Sequence, residues 1–352
     1  MTSAPRIAIV GAGLVGGYLG GCLHGHARVT LVCRERVAAM LASTGIAVSG
    51  GAGPTRRIAP QELDIALDVS GAAQADLVLV TAKSTATASI ARALESVLEP
   101  EAVVVSFQNG MRNAAWLRER LRRNAVLAGM VPFNVASPSP GTFRRGEFGE
   151  LMVEDAPALA PFVPVFAAAG VALARRGDIT AVQWAKLLVN LVNPVNALGD
   201  LPLRTQLADR TWRRCLALAL REALAVYRAA GIRPARITPM PMRWLPIVLE
   251  LPDALFARAA GTMLSMDPQA RTSMSEDLRA RRRTEIDDLN GEVVALAASR
   301  GVRAPVNARL IELVHAAEQH ARRYTGPELL GDLRGAGSAA IASSTSVPGS
   351  AR

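Results

Sequence analysis

The sequence predicts an α/β half followed by an all-helical half. Short apolar, β-branched runs recur through the first half, separated by helix-forming stretches, as expected of a parallel sheet covered on both faces. From about Gly177 to Tyr324 only helical periodicity remains, broken by prolines between Ile232 and Pro252. A chain of 352 residues also exceeds one average domain and accommodates two. The expected boundaries are 1–177 for the α/β domain and 178–328 for the helical one. The remainder, 329–352, is rich in Gly, Ala and Ser and is expected to be a disordered tail.

Taken in order, strands are expected at Arg6–Val10, Val29–Cys33, Leu77–Thr81, Val103–Phe107 and Val126–Val131. Thr142–Glu154, with Gly146 and Gly149 between apolar residues, reads as a hairpin near the sheet edge, and Val171–Leu173 as a last strand. The uncharged stretch Ala156–Ala174 has the length of a membrane span. It is broken by Pro157, Pro161, Pro164 and Gly170, so it reads instead as a buried helix followed by a strand.

Composition narrows the function classes. Half of the chain is hydrophobic and a fifth is charged, which suits a globular protein with a substantial core. The formal net charge is +10, but the arginines are scattered through amphipathic segments such as Arg118–Arg123 and Arg279–Arg283. No basic block interleaved with aromatics appears, so no nucleic-acid partner is expected. An anionic cofactor and substrate account for part of the positive bias. Cys22, Cys33 and Cys215 are too few and too dispersed for a disulfide framework or zinc site, and His24 and His26 are the only closely spaced histidines. No metal is expected. Met1–Arg6 runs into the first strand without an apolar signal region, which gives the cytoplasm as the expected compartment and no membrane association. Monomer and homodimer are both compatible with the sequence.

The strand Ile7–Val10 runs into Gly11-Ala12-Gly13-Leu14-Val15-Gly16 and then a helix. The three glycines are needed for separate reasons. Gly11 allows the tight turn, Gly13 lets backbone approach a pyrophosphate, and Gly16 lets the helix pack close to the strand. The helix start, at Leu14 and Val15, offers N–H donors and the positive dipole end to a phosphate. The glycine spacing alone is weak, but strand before, helix after and a second strand close behind point to a dinucleotide. That second strand ends Cys33-Arg34-Glu35-Arg36. An NAD site places a carboxylate here for the ribose 2′-hydroxyl. Arg34, with Arg36 behind it, suits the 2′-phosphate of NADP(H) through charge-assisted hydrogen bonds. A slip of register would bring Glu35 to the ribose and favour NAD.

Three polar segments interrupt apolar patterns. Thr81-Ala82-Lys83-Ser84 and Gln108-Asn109-Gly110 each stand at the carboxyl end of a strand, where open α/β sheets bind ligands. The Asn-Gly step reads equally as a structural turn. The third runs from Trp184 to Pro194, and on one helix Lys186, Asn190 and Asn193 would fall within about 60° of one face. A lysine and two amides sharing a stripe in an apolar helix suit a carbonyl ligand; a snorkelling lysine with satisfied amides is the plainer reading. Pro194 cannot donate to the carbonyl of Asn190, so a kink or helix end is expected there.

The glycine loop, Lys83, Gln108-Asn109-Gly110, the Lys186/Asn190 helix and the segment from Ser273-Met274 to Thr284-Glu285-Ile286-Asp287 occur in the order found in the ketopantoate reductases (2-dehydropantoate 2-reductases). The chain resembles that family over about residues 6–325. The resemblance implies a Rossmann-type domain followed by a helical domain, with the active site in the cleft between them. It implies NADPH-dependent reduction of 2-dehydropantoate, a small 2-keto acid, to pantoate for coenzyme A synthesis. By resemblance Lys186 is the catalytic lysine that polarises and protonates the keto oxygen. Asn109, Asn190 and, less directly, Asn193 orient the substrate, with Ser273 a further contact. Glu285 is the acidic group near the nicotinamide end, and Lys83 and Asn109 also serve the cofactor side.

Two departures stand out. The family pattern places its second helix asparagine where this chain has Pro194. Its histidine-glycine pattern is replaced by Pro132-Phe133-Asn134-Val135 and Arg144-Arg145-Gly146. The Pro-, Met- and Leu-rich stretch Arg236–Met266 is a further candidate for reshaping the pocket. These features keep a related dehydrogenase of another 2-keto or hydroxy acid in view. A non-catalytic NADP-sensing regulator would have no need of Lys186. Ser273 and Glu285, if on one unbroken helix, would lie about 18 Å apart, so Glu285 is expected to serve the cofactor and Ser273 the substrate.

Overall fold

In the computed structural model the described residues are 4–50, 54–146, 149–238, 240–261 and 267–345. They fall into two compact units, Met1–Gln183 and Trp184–Arg352.

The first unit is built on an eight-stranded sheet in the order β12-β11-β8-β7-β6-β1-β2-β5. Its strands are β1 (Arg6–Val10), β2 (Arg28–Val32), β5 (Asp64–Ala66), β6 (Leu77–Val80), β7 (Val103–Ser106), β8 (Ala125–Met130), β11 (Leu151–Glu154) and β12 (Leu173–Arg176). From β5 across to β8 all pairings are parallel; β11 runs antiparallel to β8, and β12 parallel to β11. The apolar runs of the sequence are these buried strands, and the two-residue period divides them between two cores. Ile7, Ile9, Leu31, Leu77, Leu79, Val103 and Val105 face helix α1 (Leu14–Leu23). Ala8, Val10, Val32, Val78, Val80 and Val104 face α3 (Thr87–Glu95) and α4 (Asn113–Arg120). Helix α2 (Glu35–Thr44) follows β2, and α5 (Val163–Ala168) precedes β12.

A four-stranded sheet, in the order β4-β3-β10-β9, is not legible in the sequence. It comprises β3 (Ile46–Ser49), β4 (Arg56–Ile58), β9 (Val135–Ala136) and β10 (Thr142–Arg145). It closes over the outer face of α1, and the glycines of that helix explain how. A Cβ on Gly17 would stand 2.4 Å from the Phe143 ring and one on Gly21 2.4 Å from Val48, while on the opposite face one on Gly20 would stand 2.6 Å from Leu31 of the main sheet. The hairpin expected over Thr142–Glu154 does not form. Phe143 carries β10 onto α1, while Leu151 and Val153 carry β11 into the main sheet between β8 and β12, so the two strands join different sheets.

The second unit is helical. Helix α6 (Ile179–Asn190) leads into it, followed by α7 (Val192–Gly199), α8 (Leu203–Ala208), α9 (Arg210–Ala229), α10 (Leu245–Leu249) and α11 (Asp253–Ala259). After them come α12 (Ser273–Arg279), α13 (Ile286–Ser299), α14 (Pro305–Gln319) and α15 (Gly326–Thr345). Helix α9 is the axis, packed by α10, α13, α14 and α15. Its buried Arg213 donates to the carbonyls of Leu207, Ala208, Leu249 and Leu251 and to Asp253, and lies over the Phe256 ring at 4.1 Å. One side chain thus pins the proline-rich stretch to the core; within that stretch, 239 and 262–266 lie outside the described residues. Glu222 on α9 accepts from the backbone N–H groups of Val306 and Asn307 and so caps α14.

The expected tail is a correction. Residues 326–345 form α15, which packs on α9 and α14 through buried Leu329, Leu330 and Leu333. The leucines supply the apolar face that the Gly/Ala/Ser composition obscured; 346–352 lie outside the described residues.

Candidate active site

In the first unit the main sheet collects the predicted residues at one edge. Asn109, Lys83, the glycine loop and Arg34 follow the carboxyl ends of β7, β6, β1 and β2, which are consecutive neighbours. The row therefore spans three interstrand spacings, about 14 Å. It straddles β1, where the chain departs to β2 on one side and to β6 on the other, the switch point at which such sheets take ligands.

The glycine turn has the geometry of a cradle. Gly11 has φ +104°, and a Cβ there would stand 2.5 Å from the backbone N of Ala82. A Cβ on Gly16 would stand 2.2 Å from the Gly11 carbonyl oxygen. Around Gly13, by contrast, a Cβ would meet nothing within 4 Å. Helix α1 begins after Gly13 with no side-chain cap and no acidic residue in its first turn. Its first N–H groups have no helical carbonyl to bond, and the dipole end is unopposed. A pyrophosphate fits this space and this electrostatics. The turn is tied to its neighbours by Gly11 N–H donating to the Val32 carbonyl at 2.9 Å and by Thr81 Oγ1 donating to the Gly11 carbonyl at 2.7 Å.

Arg34, Glu35 and Arg36 are all exposed, and Glu35 is the first residue of α2. The Arg34 guanidinium has no hydrogen-bond or ion-pair partner among the described residues. Lys83 and Asn109 are half-buried, each in the turn that follows its strand. Gln108, read from sequence only as part of a motif, is buried and bonded to Ser106, Ala82 and Thr87. It holds the turns rather than a ligand.

In the second unit, Lys186 and Asn190 lie four residues apart on α6, and Asn193 lies on α7. The expected break is present at Leu191: α6 ends at Asn190, and Pro194 sits in the first turn of α7, where a missing N–H costs nothing. The stripe of three polar residues is therefore shared by two helices rather than one. Trp184 anchors the carboxyl end of α6 to α9, with its ring edge-to-face on Tyr227 at 5.0 Å and its carbonyl accepting from the Tyr227 hydroxyl.

Lys186 has no ion pair or hydrogen bond among the described residues, and burial takes its ammonium down to about 8 from an ordinary 10.5. Asn190 and Asn193 are buried, and the Asn193 amide has no hydrogen-bond partner among the described residues. That leaves its amide available to a ligand.

Ser273 is the exposed first residue of α12. Its position is set by Thr272, whose N–H and hydroxyl both donate to Asn196 on α7, each at 3.1 Å. The helices bearing Asn193 and Ser273 are thus joined by a residue that sequence reasoning does not single out. Its only signal is a third amide, three residues after Asn193. Ser273 and Glu285 do not share a helix: α12 ends at Arg279, Arg281 takes φ +50°, and Glu285 precedes α13. The spacing of one unbroken helix does not apply to them. Next to Glu285, Thr284 donates twice to Glu318, and His315 bridges Glu318 and Asp287. Among the described residues no cluster of His, Cys, Asp and Glu could hold a metal ion, and no helix is long and apolar enough to cross a membrane.

Comparison with known proteins adds independent findings. Residues 7–158 match the family model described as ketopantoate reductase PanE/ApbA, and 178–318 match its C-terminal counterpart. A 2-dehydropantoate 2-reductase of Halobacterium salinarum is 30% identical over 323 residues, covering 89% of this chain and 99% of that one. The crystal structure of a PanE/ApbA family ketopantoate reductase from Ralstonia eutropha JMP134 superposes with a TM-score of 0.75 at 30% identity, covering 89% of this chain and 98% of that one. A D-mandelate dehydrogenase solved with NADH and anilino(oxo)acetate shares the fold, with a TM-score of 0.70 at 20% identity over 89% and 98% of the two chains.

Proposed function

We infer, because this chain belongs to the ketopantoate reductase PanE/ApbA family, that it is an NADPH-dependent 2-dehydropantoate reductase. It is an oxidoreductase acting on CH–OH groups with a nicotinamide dinucleotide; the choice of NADP, the substrate and the residue roles are our proposal.

The observation that carries it is Lys186, an ammonium without a carboxylate partner, held at about 8 by desolvation. Desolvation of this kind brings the ammonium toward the range useful for proton transfer near neutral pH. The reduced nicotinamide supplies the hydride, which goes to the ketone carbon. Lys186 stabilises the charge that grows on oxygen and gives it a proton, forming the alcohol; the neutral amine then regains a proton from water. Asn190, Asn193 and Ser273 are assigned as hydrogen-bond partners of the remaining oxygens of the 2-keto acid, and Asn109 as an orienting amide. Lys83 and Glu285 are assigned to the nicotinamide side, Leu14 and Val15 with Gly11, Gly13 and Gly16 to the pyrophosphate, and Arg34 to the 2′-phosphate. A soluble cytoplasmic setting and a monomeric or homodimeric state belong to the same proposal.

The test is to follow NADPH and NADH oxidation with a panel of 2-keto acids. We expect 2-dehydropantoate and NADPH to be preferred. Preference for another 2-keto acid would leave the chemistry and change the substrate, an outcome favoured by Pro194 standing where the family pattern has asparagine. Tight NADPH binding with no turnover on any keto acid would instead point to a regulator.

A further inference from the structure

Behind the row of candidate residues in the first unit lies a polar network that needs explaining, because a covered parallel sheet has little cause to bury five polar side chains together. Ser84, Thr87, Ser106, Gln108 and Asn113 are all buried. Gln108 Nε2 donates to the Ala82 carbonyl at 3.0 Å and to Thr87 Oγ1 at 2.7 Å, while its Oε1 accepts from Ser106 Oγ. Thr87 Oγ1 donates in turn to Asn113 Oδ1 at 2.7 Å. Asn113 Nδ2 donates to Ser84 Oγ and to the Asn109 carbonyl, and Ser84 Oγ donates to that same carbonyl at 2.8 Å.

No donor in the network is left over. Both amide hydrogens of Gln108 and both of Asn113 are used, as are the hydroxyl hydrogens of Thr87, Ser84 and Ser106. Neither amide can be turned over, since its oxygen would then face a backbone carbonyl. The network joins the turn after β6, which carries Lys83, to the turn after β7, which carries Asn109, and fastens both to the starts of α3 and α4. A buried network that is fully satisfied specifies one arrangement.

We propose that Thr87, Gln108 and Asn113 are positioning residues. They hold the Asn109 backbone, and with it the Asn109 side chain and Lys83, in the geometry that turnover needs. The proposal rests on the reading of Asn109 as an orienting amide. Thr87 is the hinge of the set, since it alone passes a hydrogen bond from Gln108 to Asn113.

The experiment is a double-mutant cycle between Thr87→Val and Asn109→Ala in the full chain, with Thr87→Ser as the conservative rescue. For Thr87→Val we expect kcat/KM for the keto acid to fall on the order of ten- to hundredfold, with Thr87→Ser near wild type. In the Asn109→Ala background the same change should cost less than about twofold, because residues acting through one another are non-additive. A merely structural threonine would give additive effects, or a loss that follows the folded fraction with KM unchanged, and either result overturns the proposal. If Thr87→Val does not fold, Ser84→Ala, which removes one donor to the Asn109 carbonyl, enters the same cycle with the same expectations. If Asn109→Ala alone leaves turnover intact, or the wild type reduces no keto acid, the functional reading fails separately. The network is then judged by amide hydrogen exchange: protection lost together over 82–87 and 108–113 in the variant supports it, and unchanged protection overturns it.

Discussion

Lys186 carries two consequences of one physical fact. Its ammonium is desolvated without compensation, so its pKa is lower in the folded chain than in the unfolded one. Between about pH 8 and 10.5 the unfolded chain therefore binds more protons, and stability should rise with pH through that window. Below it the partly desolvated charge costs at most about 3 kcal/mol. Lys186→Met should accordingly raise the melting temperature at pH 7 while cutting reduction by orders of magnitude with NADPH still bound; calorimetry and NADPH fluorescence read both. Near-normal turnover in that variant would remove the lysine from the mechanism. The wild-type rate of reduction should decline as pH passes above about 8, as the acid form is lost. At the other end of the row, Arg34→Ala should weaken NADPH roughly ten- to hundredfold, the worth of a charge-assisted hydrogen bond, and leave NADH little changed. A strong NADH preference in the wild type would transfer the role to Glu35.

The first helix separates two reasons for a glycine. At Gly16 the missing Cβ is needed for packing, since it would stand 2.2 Å from a backbone oxygen. At Gly13 there is room for a methyl group and the backbone is extended, so folding makes no demand. Gly13→Ala should thus keep its melting temperature within about 1 °C, as a surface change without a named mechanism would, and lose dinucleotide affinity. Gly16→Ala should lose both. Equal loss of stability in the two would mean the open space at Gly13 is not reserved for a ligand. In the second unit, Arg213 holds α10 and α11 to α9 through the carbonyls of Leu249 and Leu251 and the Asp253 carboxylate. Arg213→Met should cost at least about 2 kcal/mol, because buried carbonyls lose a charged donor, measured by urea unfolding.

Over the whole chain the strongest departure from expectation is the C-terminal helix. Burial of Leu329, Leu330 and Leu333 makes α15 part of the second unit's core. Deleting from Gly326 onward should remove roughly 5–8 kcal/mol of apolar burial and leave that unit unfolded by circular dichroism. A truncated chain with native melting would mean these leucines add nothing. Read from sequence, the stretch after Leu333 is dominated by Gly, Ala and Ser, and three leucines in five residues are too few to show a period. The small sheet is hidden for a similar reason: its strands are two to four residues long, too short for a two-residue alternation to register.

The five central strands, β1, β2, β6, β7 and β8, are legible to within a residue because buried β-branched runs owe their pattern to burial itself; three-residue β5 is too short to show one. The glycine loop is legible because its constraints are local: a turn, an approach and a helix start within six residues. So is the break just before Pro194, which follows from one missing N–H. What the sequence by itself determined is thus the division into an α/β and a helical half, the central strands, the cofactor class and the polar residues available for chemistry. Tertiary structure alone decided which of those residues are held and which are left open. Gln108 and Asn196 are spent on fixing turns and helices, whereas half-buried Lys186 and buried Asn193 have no hydrogen-bond partner among the described residues. Whether a polar group is satisfied depends on what packs against it from distant parts of the chain, and no local pattern records that.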